Sequence, residues 1–181
     1  MWENDMEFII RKATKEDASR LAEILIFAKR TSYRSIFKND YVSFNEMQVL
    51  NLALDFQKRE GILDNILVYD DGIVKGMMHR EKSTDIDYPD GIRLNEFFVD
   101  TFFQGNGIGS EMMKVLLHEA ETLRTKNIFL WVLEENFKAR KFYEYFGFAP
   151  DATRRQEDGT EAYLLRYRKD LEPKTYLNKV T

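Results

Sequence analysis

The 181-residue chain contains no cysteine. That excludes disulfides and a thiol nucleophile. Histidine is scarce, with only His79 and His118, so a zinc centre is not expected and no metal is assigned. Proline occurs three times and glycine nine times, too few for a fibrous or low-complexity chain. No apolar run approaches the length of a membrane span. The opening Met1-Trp2-Glu3-Asn4-Asp5 is acidic, unlike a secretory leader. A formal charge of −4 argues against general nucleic-acid binding. These absences leave a cytoplasmic globular chain with no membrane and no nucleic-acid partner. Its length suits one domain over 1–181, with a polar C-terminal tail from about residue 170.

What is present centres on a glycine-rich stretch. Ile92 to Val99 is rich in aromatic and branched residues and reads as a strand, while Glu111 to Ala120 has helical periodicity. Between them lie Gln104-Gly105-Asn106-Gly107-Ile108-Gly109-Ser110. Alternating glycines let the backbone turn and let a ligand approach without meeting a Cβ. Amides gathered at a helix N-terminus favour an anion, and phosphate is the natural one. The spacing is not that of a dinucleotide fingerprint, which would need glycine at Ser110 or Met112. It is not a P-loop either, since Gly109-Ser110-Glu111 has no lysine.

The remaining elements can be read in order. A strand is expected over Glu7–Lys12 and a helix beginning at Thr14, with Leu21, Ile24, Leu25 and Ala28 at helical spacing. Thr31 to Asn39 reads as a loop whose Tyr33, Arg34, Ile36 and Phe37 either pack beneath it or contribute to an acceptor pocket. A second helix is expected from Phe44 to Arg59, ending at Gly61. Ile66–Tyr69 and Ile73–His79 flank Asp70-Asp71-Gly72 and predict an antiparallel hairpin. Asp85 to Gly91 is a polar loop. Ile128 to Leu133 is an almost unbroken apolar run, as in a strand buried on both faces. Thr153–Gln156 and Ala162–Tyr167 close the chain as a second hairpin.

A second constellation lies between these. Asn136, Ala139, Arg140 and Tyr143 share one face of a short helix that stops at Gly147, where Asn136 can cap the helix or turn its amide to a ligand. The glycine loop is similar to the Gln/Arg-x-x-Gly-x-Gly loop of the GNAT superfamily of N-acetyltransferases. The pattern Asn136-x-x-Ala139-x-x-x-Tyr143 followed by Gly147-Phe148 resembles that superfamily's other diagnostic motif. The resemblance is clear from Ile66 to Tyr167 and loose over the first two helices.

The resemblance implies a mixed α/β (α+β) fold, with a largely antiparallel central sheet flanked by helices and splayed at an acetyl-CoA site. It implies acetyl transfer from acetyl-CoA to a primary amine by direct attack in a ternary complex. Under it, the backbone of Phe97, Phe98 and Val99 pairs with the pantetheine arm. Amides from Gln104 through Gly105, Asn106, Gly107, Ile108 and Gly109 to Ser110 hold the pyrophosphate. Asn136 and Arg140 contact the cofactor, and Tyr143 protonates the departing thiolate. Many relatives carry a strand glutamate as base, but here Arg93 stands at the aligned position. Glu96 is the nearest substitute, although three residues along a strand puts it on the opposite face from Arg93. Glu134, Glu135 or a water chain are the alternatives. The amine acceptor, a small molecule or a peptide, is left open among antibiotics, polyamines, amino acids, peptide N-termini and protein lysines. A homodimer is an open expectation. Two further readings stand beside this one: a non-catalytic acyl-CoA-binding sensor of the same fold, and a nucleotide-binding regulatory module.

Overall fold

The computed structural model describes residues 7–171. The leader reading of Met1–Asp5 and the tail beyond Leu171 lie outside the described residues. Within them, one seven-stranded sheet has the order β1-β2-β3-β4-β5-β7-β6. The strands are β1 (Ile9–Lys12), β2 (Ile66–Asp70), β3 (Val74–Lys82), β4 (Ile92–Val99), β5 (Asn127–Leu133), β6 (Ala149–Gln156) and β7 (Tyr163–Asp170). Every neighbouring pair is antiparallel except β4 with β5. This is the mixed, largely antiparallel sheet implied by the motifs. Strand β7 runs to Asp170, so the sheet extends to the residue where the polar tail was expected to begin. No helix among the described residues is long and apolar enough to cross a membrane.

Helices cover both faces. On one side, α3 (Ile108–Thr122) and α4 (Phe137–Tyr145) bury Met112, Leu116 and Tyr143 against Ile92, Leu94, Ile128 and Leu130. On the other, α1 (Ala18–Phe37) and α2 (Val49–Lys58) bury Leu21, Ile24, Ala53 and Phe56 against Ile66, Val68 and Met77. Strand β5 therefore meets apolar side chains on both faces, which explains its unbroken hydrophobic run.

Two expectations need correction. The loop expected over Thr31–Asn39 is helix as far as Phe37. Tyr33, Ile36 and Phe37 fall at i, i+3 and i+4 and pack on Leu133, Ala162 and Leu164, prolonging α1 by two turns. Lys38 ends it in the left-handed region at φ 51°, its amide donating to the Arg34 carbonyl. The second helix begins at Val49 rather than Phe44. The Arg30 guanidinium donates to the carbonyls of Ser43 at 2.9 Å and Met47 at 2.8 Å, and a separate wide turn, Val42–Glu46, precedes an extended Met47. A tertiary contact thus overrides local helix preference.

The α1 face is anchored at its start. Arg11 on β1 donates to both oxygens of Asp17 at 2.7 and 3.0 Å, and to Asp70 in the first hairpin at 2.8 and 3.0 Å. Asp17 also accepts from the Thr14 amide at 2.8 Å, so the expected helix start at Thr14 is present as a capping box. The Arg11 bonds hold the Asp17 carboxyl below its ordinary value; burial opposes this and Thr14 adds to it. A carboxyl that is a stronger acid when folded contributes stability that is complete above its unfolded pKa near 3.8 and is lost as pH falls through the lower, native value. Asp17→Asn should therefore flatten the acid limb of melting temperature plotted against pH below about pH 4. An unchanged acid limb in that variant would show that Asp17 is not a linked group.

Candidate functional site

The site begins where pairing stops. Strands β4 and β5 pair only over Ile92–Leu94 with Ile128–Leu130. The next residue, Asn95, is an extra one in β4. Arg80 of β3 faces Leu94 while His79 faces Glu96, so the register slips by one at Asn95. Such a bulge bends a strand and changes which face the following side chains take. Here it coincides with the end of β4–β5 pairing, and the two strands diverge to leave a cleft of about 460 Å³. From Asn95 to Val99 the β4 edge facing β5 has no strand partner among the described residues, which leaves backbone donors and acceptors for an extended ligand.

The bulge also corrects the expected placement of Glu96. Leu94 and Phe97, three apart, both pack in the layer under α3 and α4. Arg93 and Glu96 therefore both face the α1 side, where Glu96 accepts from Lys29 of α1 at 2.8 Å. The expected opposition of the two holds for a regular strand only.

One mouth of the cleft is the glycine loop. Gly105 and Gly107 have φ of 87° and 81°, and a Cβ on either would enter open space. Gly107 precedes α3, whose first backbone bond runs from the Glu111 amide to the Gly107 carbonyl at 3.1 Å. The amides of Ile108, Gly109 and Ser110 thus precede the helical ladder and are available to an anion. Gly109 lets the Phe142 ring approach to 3.5 Å of where its Cβ would be. The loop is braced from outside. Gln104 donates to the Val99 carbonyl at 3.1 Å and accepts from Lys138 at 2.6 Å. Asp100 accepts from the Phe102 amide at 2.9 Å and from Arg20 of α1. Lys138, Asp100 and Arg20 were not singled out from sequence. Asp100 carries a local turn signal, but Arg20 is eighty positions away and carries none.

Helix α4 forms the opposite wall. Asn136, Ala139 and Tyr143 line the cleft as their spacing predicts. The Asn136 side-chain oxygen accepts from the Ala139 amide at 3.1 Å, which makes it the N-cap and leaves its NH₂ group unspent. Tyr143 is only 9% exposed, and its hydroxyl has no hydrogen-bond partner among the described residues. Burial, and then the charge of Glu96, raise its phenol above the ordinary value near 10. Tyr33 of α1 also lines the cleft, and its phenol is raised by the same two causes.

Two expected residues stand apart from the cleft. The Arg140 guanidinium turns away, donating to the Tyr167 hydroxyl at 3.0 Å and the Glu134 carbonyl at 2.9 Å. Asn106 lies on the exposed outside of the loop, donating weakly to the Phe103 carbonyl at 3.4 Å. Of the three candidate bases, Glu96 alone lines the cleft. Glu134 is held by Arg154 at 2.7 Å, and Glu135 faces solvent.

Residues 30–148 match a family model described as the acetyltransferase (GNAT) family. The chain is similar to a probable spermine N(1)-acetyltransferase of Bacillus subtilis subsp. natto (strain BEST195), 43% identical over 56 residues. That match covers 30% of this chain and 37% of the relative, little more than a third of its length. An uncharacterized N-acetyltransferase of Archaeoglobus fulgidus is 28% identical over 153 residues, covering 83% of this chain and 95% of that one. Among solved structures, the PaiA N-acetyltransferase of Thermoplasma acidophilum in complex with coenzyme A has a TM-score of 0.69 at 16% identity, covering 91% of this chain and 99% of that one. At that identity the likeness is one of fold.

The capping role of Asn136 is open to a direct check. Asn136→Ala should lower unfolding stability by about 1 kcal/mol, measured by denaturant titration, because the Ala139 amide loses its partner. No change would mean that the bond is not maintained in solution.

Proposed function

The chain belongs to the acetyltransferase (GNAT) family, and from that premise we propose that it acts as one catalytic domain moving an acetyl group from acetyl-CoA to a primary amine. The observation that carries this reading is the coincidence of three features at one cleft. A strand edge is freed by the Asn95 bulge, free amides gather at the start of α3, and a buried phenol with no internal partner stands between them.

Each part has a task. The pyrophosphate would rest on the amides of Ile108 to Ser110, where the helix dipole favours negative charge. The pantetheine arm would lie along Phe97–Val99 as an added strand. The acceptor amine must be neutral to attack the thioester carbon. As its nitrogen bonds to that carbon, a proton leaves the nitrogen, the C–S bond breaks and the sulfur leaves as a thiolate. Glu96, at the junction of the cleft with the α1 side, is the carboxylate suited to take the amine proton, directly or through water. Tyr143 is suited to the sulfur. A phenol raised by burial stays protonated until negative charge develops beside it, so its hydrogen bond strengthens in the transition state. The chain's lack of cysteine supports direct transfer in a ternary complex rather than an acyl-enzyme.

Two variants test the reading. Gly107→Val puts a branched side chain at φ 81° into the open space above the helix start. Calorimetric affinity for CoA should fall at least about tenfold, since both the strained backbone and the added bulk oppose anion binding. Unchanged affinity would remove the phosphate site from this loop.

Tyr143→Phe deletes a hydroxyl that bonds nothing within the described protein, so the melting temperature should hold. With a turned-over amine, kcat should fall by about 10²–10⁴-fold while CoA affinity stays near its starting value. A normal kcat would reject the acid role. CoA binding with no thiol release for any amine would favour the acyl-CoA sensor.

A further inference from the structure

A second hollow, of about 200 Å³, lies on the α1 side of the sheet. It shares Tyr33, Leu94, Asn95, Glu96 and Trp131 with the cleft, so the two spaces meet at the β4 bulge. Under the acetyl-transfer reading, on which this inference rests, a molecule in this hollow approaches the thioester from the face opposite the glycine loop.

The charges lining the hollow are unevenly used. Lys29 and Glu96 neutralise each other at 2.8 Å. The Arg93 guanidinium makes no hydrogen bond or ion pair among the described residues. Its cross-strand neighbour Glu81 directs a carboxylate oxygen to Asn95 instead, at 2.8 Å. Arg155 on β6 also has no carboxylate partner there; its guanidinium lies over the Trp131 ring, 4.3 Å from the centroid. Other arginines of this chain on the same sheet are matched. Arg166 meets Asp151 at 2.6 Å and Asp87 at 2.8 Å, and Arg154 meets Glu134 at 2.7 Å. Within the lining of the hollow, two guanidiniums without a carboxylate partner stand against one unmatched carboxylate, that of Glu157; Glu81, bonded to Asn95, is not part of that lining.

We propose that the acceptor is an amine that also carries a carboxylate, an amino-acid-like molecule, with Arg93 and Arg155 receiving the carboxylate. Guanidinium groups offer paired donors in the geometry of a carboxylate and form charge-assisted bonds with it. Trp131 holds the Arg155 plane in place through its ring face. The Glu157 carboxylate matches a second positive group on the acceptor, or its ammonium before deprotonation. A polyamine, with only positive groups, would meet two unmatched guanidiniums for each free carboxylate, and like-charge contact in a confined site is unfavourable. This assigns to the hollow a chemistry different from that in the name of the Bacillus relative, which matches only 30% of this chain.

The test uses the full-length protein with acetyl-CoA, following thiol release for the common amino acids, the corresponding amino-acid amides, spermidine and spermine. CoA affinity is measured in parallel by calorimetry. At least one amino acid should exceed both its own amide and spermidine by about tenfold or more in kcat/KM, the size expected for a charge-assisted pair. This preference runs against intrinsic reactivity, because the amide's less basic amine is more often neutral. Arg93→Gln and Arg155→Gln should each shrink the acid-to-amide ratio about tenfold, mainly through KM. Arg155 is exposed, so its variant tests the idea even if Arg93→Gln fails to fold. Spermidine or an amide performing as well as the acids, or an unchanged ratio in the variants, overturns the inference and leaves acetyl transfer standing. CoA binding with no turnover of any amine overturns it together with acetyl transfer, in favour of the acyl-CoA sensor. A failure to bind CoA brings down the acetyl-transfer reading itself.

Discussion

The arrangement depends on one extra residue in one strand. Asn95 interrupts the β3–β4 register at the point where β4 leaves β5, and the free strand edge and the placement of Glu96 follow from that lapse. A regular β4 paired along its length with β5 would bury its own edge and close the sheet. With the bulge, the strand bends, an edge of backbone polar groups is left for a ligand, and the sheet opens between its two central strands. The same shift sends Glu96 to the α1 side with Arg93 while Phe97 remains under α3 and α4. The cleft on one face and the charged hollow on the other are two ends of a single opening.

An opening in a sheet is unstable unless its walls are held, and the holding groups come from distant parts of the chain. Helix α1 supplies Lys29 to Glu96 and Arg20 to Asp100, fixing the strand and the turn that follows it. Helix α4 supplies Lys138 to Gln104 at the opposite end of the loop. The aromatic layer of Phe97, Phe142 and Phe146 fills the space beneath, with ring centroids 5.7 and 5.1 Å apart along the chain of contacts. At the cleft, the helix-start amides, the Asn136 NH₂ and the Tyr143 hydroxyl have no side-chain or helical partner among the described residues.

Local patterns carried much of this. The glycine alternation before an apolar helix marked the turn at positive φ and the start of α3, because both are short-range features. The Asn136–Ala139–Tyr143 spacing located the opposite wall for the same reason. The polar loop from Asp85 to Gly91 hid a buried residue: Tyr88 packs its ring, tilted, against Phe129 at 4.8 Å between centroids and donates to Asp151, a partner that no local pattern announces. Arg140 fell on the expected helical face, yet the Tyr167 hydroxyl, on a strand 27 positions later, draws its guanidinium out of the cleft.

The sequence by itself determined the order of strands and helices along the chain, the glycine-rich loop and the capped, aromatic helix beside it. These follow from periodicity, capping and backbone freedom, which act over a few residues. Only the tertiary structure decided how far α1 extends, where α2 starts, which face Glu96 takes and which arginines lack a partner. Each of those is settled by groups far apart in the chain, or by a register slip of one residue, and a slip of one reverses every side chain that follows without changing a letter of the sequence.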